Sequence, residues 1–74
     1  MSIIPILAAR VVIKKLIKAG FRFLYARGSH YIFRNEATGR MTSVPVHGGK
    51  DIGRSLLSKI IKQTGLSLKK FLDL

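Results

Sequence analysis

Seventy-four residues allow one small domain. A chain of this length buries only about 60–65% of the surface its unfolded form exposes, so a disulfide, a metal or a partner usually reinforces it. The sequence has no cysteine and only two histidines, which excludes disulfides and thiolate metal sites and leaves a partner as the expected support. Fourteen Lys and Arg against three acids give a formal net charge of +11. A field of that sign attracts nucleic acid, acidic protein or an anionic membrane. Because 47% of the residues are hydrophobic, the chain is a folding domain and not a solvated basic tail. The acids Glu36, Asp51 and Asp73 are far apart, each in a predicted turn or near a chain end. That spacing argues against two-metal phosphoryl chemistry and against paired-carboxylate glycoside hydrolysis. An enzyme built on this sequence is expected to work without metal or cofactor, using His, Lys, Arg, Tyr, Ser and backbone amides.

The single domain spans residues 1–74 and opens with an extended arm over residues 1–7, where Pro5 keeps Ile4 out of helical geometry. The uncharged run Ile3–Ala9 is far shorter than the ~20 residues of a membrane span and lacks a signal peptide's basic flank. No membrane association and a cytoplasmic location are expected. From about Ala8 to Ala19, the positions Ala9, Val12, Ile13, Leu16 and Ile17 recur at helical spacing, with Lys14, Lys15 and Lys18 on the other side. The same pattern suits an interfacial cationic helix. The strand signals that follow give its apolar face something to cover, which favours a first domain helix. Gly20 is placed to end it.

Phe21–Arg27 changes to a two-residue period, with Phe21, Phe23 and Tyr25 on one face. Gly28-Ser29 makes a tight connection to a returning strand, His30–Arg34. A second turn, Asn35–Gly39, leads to a third strand, Arg40–Val46, whose Pro45 suits an edge or strand end. After the polar loop His47–Asp51, the positions Leu56, Leu57, Ile60 and Ile61 predict a helix with Arg54, Lys59 and Lys62 outside, closed by Gly65. Ser67 is expected to cap a terminal turn that folds Leu68, Phe71 and Leu72 back as a latch. The order α-β-β-β-α defines an α+β, two-layer sandwich: a three-stranded antiparallel sheet with helices on one face.

A histidine just after a Gly-Ser turn is held by backbone yet reachable by a ligand, and imidazole titrates near neutral pH. In metal-free RNA cleavage, a 2′-hydroxyl loses a proton, attacks the adjacent phosphorus and expels the 5′-oxygen. His30 suits that proton transfer, while Lys and Arg stabilise the charge on phosphate. A surface histidine in a plain hairpin would read the same way. The stretch Val46-His47-Gly48-Gly49-Lys50-Asp51-Ile52-Gly53-Arg54, with three glycines and a lysine before a helix, suggests a phosphate cradle, or a flexible helix entry capped by Asp51; it is not a Walker A loop. The basic residues Lys14, Lys15, Lys18, Arg22, Arg27, Arg34, Arg40 and Lys50 are candidate RNA contacts, since an ordinary solvated face mixes signs. Tyr25, Tyr31 and Phe33 are candidates for base stacking, although alternation assigns Phe21, Phe23 and Phe33 to the core.

The chain from Ala9 to Leu72 resembles the HicA family of bacterial and archaeal toxins. The resemblance is carried by Leu16-Ile17-Lys18-Ala19-Gly20-Phe21, by Arg27-Gly28-Ser29-His30 and by Thr42-Ser43-Val44-Pro45-Val46-His47. It continues through Leu56–Ser67 and the closing Lys69-Lys70-Phe71-Leu72. It implies a double-stranded-RNA-binding-domain-like fold and an mRNA interferase, an endoribonuclease that cuts transcripts and is neutralised by a HicB-like antitoxin. It also implies that His30 is the catalytic histidine; from their places beside it and in the glycine loop, Ser29 and Gly28 are expected to position it, with His47 and Lys50 as helpers. Many relatives carry a second histidine where this chain has Tyr31, and often acids where it has Lys69 and Lys70. The alternative is a non-catalytic RNA-binding module. Ribosome association is a further expected partner contact.

Overall fold

The computed structural model describes residues 3–74. Of the arm expected over residues 1–7, Met1 and Ser2 lie outside the described residues. The chain from Leu7 continues into a short strand, β1 (Leu7–Ala8), and enters helix α1 directly at Ala9–Lys18. Val12 and Leu16, one turn apart, are fully buried, and Ala9 completes the inward row. Lys15 and Lys18 occupy the last turn, where cations suit the helix dipole.

Strands β2 (Phe21–Arg27), β3 (His30–Asn35) and β4 (Met41–Pro45) form an antiparallel sheet in the order β2-β3-β4. Gly28 carries φ +59° in the two-residue connection between β2 and β3, a conformation that costs a side-chain-bearing residue free energy. At the β3–β4 turn the Asn35 carboxamide oxygen accepts from the backbone N–H groups of Ala37 and Thr38, at 2.9 and 3.3 Å.

The β2–β3 register is irregular. Phe23 faces Phe33, but Tyr25 faces Ile32, so Leu24 is an extra residue in the ladder. One inserted residue reverses the face of every later side chain. Tyr25 therefore does not share a face with Phe21 and Phe23, as unbroken alternation predicts. It lies with Ile32 on the opposite face, and Arg27 lies there with His30. Phe23 keeps the expected face but not the expected burial: it is 47% exposed, because β2 is an edge strand and α1 does not cover it fully.

Beyond β4, the expected loop contains a two-residue strand, β5 (Asp51–Ile52), which pairs antiparallel with β1 through Leu7–Ile52 and Ala8–Asp51. Asp51 is therefore a strand residue and not a helix cap. Helix α2 (Arg54–Thr64) starts after Gly53 without a side-chain cap and ends at Gly65, whose φ is +79°. Helix α3 (Leu68–Leu72) is capped as expected, the Ser67 hydroxyl accepting from the Lys70 N–H.

The core lies between the helices and the inner face of the sheet. It gathers Val12 and Leu16 from α1, Phe21, Phe33 and Val44 from the sheet, Ile52 from β5, Leu57, Ile60 and Ile61 from α2, and Phe71 from α3. Each fully buried side chain of this size contributes about 1.5–3 kcal/mol. Two polar ties fix the layers. Thr42 Oγ1 donates to Gln63 Oε1 at 2.6 Å, joining β4 to α2, and Lys15 Nζ donates to the main-chain oxygens of Leu72 and Leu74 at 2.8 and 2.9 Å.

Candidate functional site

Alternation along β3 sends Tyr31 and Phe33 into the helix-covered side and leaves His30, Ile32 and Arg34 on the open face. Ladder partners share a face, so the open side also carries Arg22, Tyr25 and Arg27 from β2, and Met41, Ser43 and Pro45 from β4. The bulge at Leu24 is what brings Tyr25 and Arg27 there. Arg27 stands directly opposite His30, with Cα atoms about 4.5–5.5 Å apart as ladder partners are. Backbone pairing alone thus puts an arginine opposite an exposed histidine on the same face.

A second imidazole completes the corner. The Val46 N–H donates to the Ser29 carbonyl at 2.7 Å, tying the β2–β3 turn to the segment after β4. This brings His47 close to His30, with ring centroids 6.4 Å apart and planes nearly perpendicular. The Ser29 hydroxyl lies 3.3 Å from His47 Nε2, so its side chain holds His47. Gly28 acts only through the turn. Both histidines are exposed. Beside His30 runs a groove of about 180 Å³ lined by His30, Ser43, Pro45, Leu56, Lys59 and Gln63.

Helical periodicity places Lys59 only on the outside of α2. The packing of α2 against β4 turns it toward His30, a tertiary fact that helical periodicity does not contain. In the stretch before the second helix, β5 separates Gly48, Gly49 and Lys50 from the α2 N-terminus, while Gly53 sits directly at it without a side-chain cap. Lys50 remains exposed in a turn in which its N–H donates to the His47 carbonyl at 2.9 Å.

The other candidate cations are dispersed. Arg22 and Arg34 are cross-strand partners on the open face, and Glu36 joins them, 3.4 Å from Arg22 Nη2 and 2.6 Å from Arg34 Nε. Arg40 packs over the Gly65 backbone at the end of α2. Lys15 is half-buried and committed to α3, while Lys14 and Lys18 are exposed on α1.

The hydrogen bond from Arg34, reinforced by Arg22, holds the Glu36 carboxyl below its ordinary value of 4.5. A carboxyl with a folded-state pKa below its unfolded one stabilises the fold at neutral pH. That contribution fades as pH falls through the depressed pKa, below the ordinary carboxylate range. Glu36→Gln is therefore expected to flatten the dependence of Tm on pH below about 4.5, with only a small change near neutrality because the pair is exposed. Parallel acid titrations of wild type and variant check this; coincident slopes would refute it.

A basic α+β sandwich of double-stranded-RNA-binding-domain-like order, with two imidazoles at one corner of its open sheet and Arg27 as the ladder partner of one of them, defines the class of domain. Residues 9–66 match the family described as HicA toxin of bacterial toxin-antitoxin. The chain is also 39% identical over 54 residues to a protein of Pseudomonas fluorescens (strain Pf0-1) named "Probable mRNA interferase HicA", covering 72% of this chain and 87% of that relative. This chain belongs to the HicA toxin family. Among the described residues no helix is long and apolar enough to cross a membrane.

Proposed function

We propose that this chain is a metal-independent endoribonuclease, the mRNA interferase toxin of a type II toxin–antitoxin pair, with His30 as its catalytic histidine. The observation that carries this reading is the exposed His30–His47 pair, 6.4 Å between ring centroids, with Arg27 opposite His30 and Lys59 across the groove. The pair is spaced to flank one phosphate. His30 takes the proton from the ribose 2′-hydroxyl, and the 2′-oxygen bonds to the adjacent phosphorus. The bond from phosphorus to the 5′-oxygen breaks, and protonated His47 gives that oxygen its proton. The products are a 2′,3′-cyclic phosphate and a 5′-hydroxyl. Arg27 and Lys59 oppose the charge that builds on the phosphoryl oxygens.

The remainder of the open face supports a strand running away from that corner. Tyr25 is 49% exposed and offers a stacking surface, with Arg22 and Arg34 further along. Lys50 extends the cationic rim beyond His47. The substrate is mRNA in the cytoplasm, and a HicB-like antitoxin neutralises the enzyme.

Labelled mRNA incubated with purified protein in EDTA, with and without ribosomes, tests the proposal. Fragments ending in cyclic phosphate are expected. A strict requirement for magnesium would overturn the metal-free chemistry. Tight binding without fragments in either arm would leave an RNA-binding module.

A further inference from the structure

Glu36 takes no part in the cleavage chemistry, yet it is the one acid that meets the open face of the sheet. The other two lie elsewhere, Asp51 on β5 and Asp73 at the end of α3. Arg22 and Arg34 stand directly opposite each other in the β2–β3 ladder. Like charges in that register repel, so the pair needs an anion beside it. Glu36, in the turn that follows β3, supplies one. One carboxylate oxygen accepts from Arg34 Nε at 2.6 Å and the other from Arg22 Nη2 at 3.4 Å. The three side chains are still 41–61% exposed, so a solute can reach the bridge.

We propose that Glu36 is a built-in competitor for RNA: in the free protein its carboxylate fills a phosphate subsite made by Arg22 and Arg34, and the RNA backbone displaces it on binding. The inference rests on the RNA-cleavage reading above and adds a residue that limits affinity. Chemistry supports the exchange, because guanidinium groups bind the oxygens of carboxylate and phosphate with the same geometry. Placement supports it too. Arg34 is four residues along β3 from His30, about 13 Å at the rise of a strand, and the Tyr25–Ile32 ladder pair lies between them on the same face. A strand with its scissile phosphate at His30 passes a neighbouring phosphate over the two arginines within a few nucleotides. Energetics set the direction. Exposed Arg–carboxylate pairs hold weakly, whereas a nucleic-acid phosphate also releases condensed counterions when it is neutralised.

The test measures binding of a short single-stranded 2′-O-methyl RNA of randomised sequence, which lacks the attacking hydroxyl, by fluorescence anisotropy at low and high salt. Glu36→Gln is expected to tighten binding about three- to tenfold at low salt, the factor that two exposed ion pairs represent. The gain should shrink at high salt, where screening already weakens the competing carboxylate. Asp73→Asn raises the net charge by the same amount at an exposed pair with Lys69, off the open face, and should gain less than twofold. Arg22→Gln/Arg34→Gln should bind more weakly than wild type, and adding Glu36→Gln to it should then change affinity by less than twofold. Equal gains from Glu36→Gln and Asp73→Asn would reduce the effect to net charge and overturn the proposal. A full gain in the background without the arginines would do the same, since Glu36 would then act without them. Wild type that binds, with Glu36→Gln no tighter, would sink the competitor and leave the nuclease reading standing. If wild type binds no RNA at all, the nuclease reading fails and takes this one with it.

Discussion

Substitution of His30 by alanine is expected to lower mRNA cleavage by about 10²–10⁴-fold, the range that a positioned general acid or base supplies, and to release growth arrest. The fold should not change. His30 is exposed at the first position of β3, and its ladder partners Arg27 and Pro45 are fixed by backbone. Circular dichroism and Tm should therefore match wild type, which separates loss of chemistry from loss of structure. His47→Ala should reduce the rate as well, through the leaving-group step. Ser29→Ala should act through His47, because its hydroxyl meets His47 Nε2 and not His30. Its signature is a lower maximal rate with KM little altered, since no substrate contact is removed. A folded, expressed His30→Ala variant that still arrests growth would end the assignment.

Most of the fold is legible in the residues because each element carries its own period and its own stop. Val12 and Leu16 announce the inner face of α1, Gly65 ends α2 with a left-handed residue, and Ser67 caps α3. What escapes is set by non-local pairing. Nothing in Phe21–Arg27 signals that Leu24 is supernumerary. Alternation alone consequently places Tyr25 on the wrong face and leaves Arg27 unconnected to His30. Likewise Leu7–Ala8 and Asp51–Ile52 are too short to read as strands apart from each other, so β5 is hidden inside a glycine-rich loop.

The site is legible to a different depth at each residue. His30 stands out because a Gly-Ser turn precedes it, and His47 because glycines follow. Their proximity depends on the Val46 N–H reaching the Ser29 carbonyl across the sheet, a long-range contact without a sequence signature. Charge was a blunter guide. An excess of cations says that a polyanion or an acidic partner is near, but not which cation meets it. Lys15 spends its ammonium on α3, Arg22 and Arg34 share Glu36, and Lys59 turns to the groove.

Phe33→Ala is expected to have the largest effect on stability, and its consequence differs in kind from that of His30→Ala. Phe33 is 1% exposed on the central strand, in the buried cluster the helices cover. Removing such a ring costs about 3–5 kcal/mol, part of it from a cavity that a small core cannot close. Domains hold about 0.05–0.15 kcal/mol per residue, so the loss consumes much or all of the margin of a chain this size. Urea denaturation of the free variant should show a midpoint shifted far toward water, or no folded baseline. A partner that binds only the folded form restores about 2.7 kcal/mol at a hundredfold excess over its Kd. Co-expression with the antitoxin should accordingly recover soluble Phe33→Ala protein, whereas the same variant alone should be lost to degradation and cause no growth arrest. An unshifted midpoint would mean that the sandwich is not held together at β3.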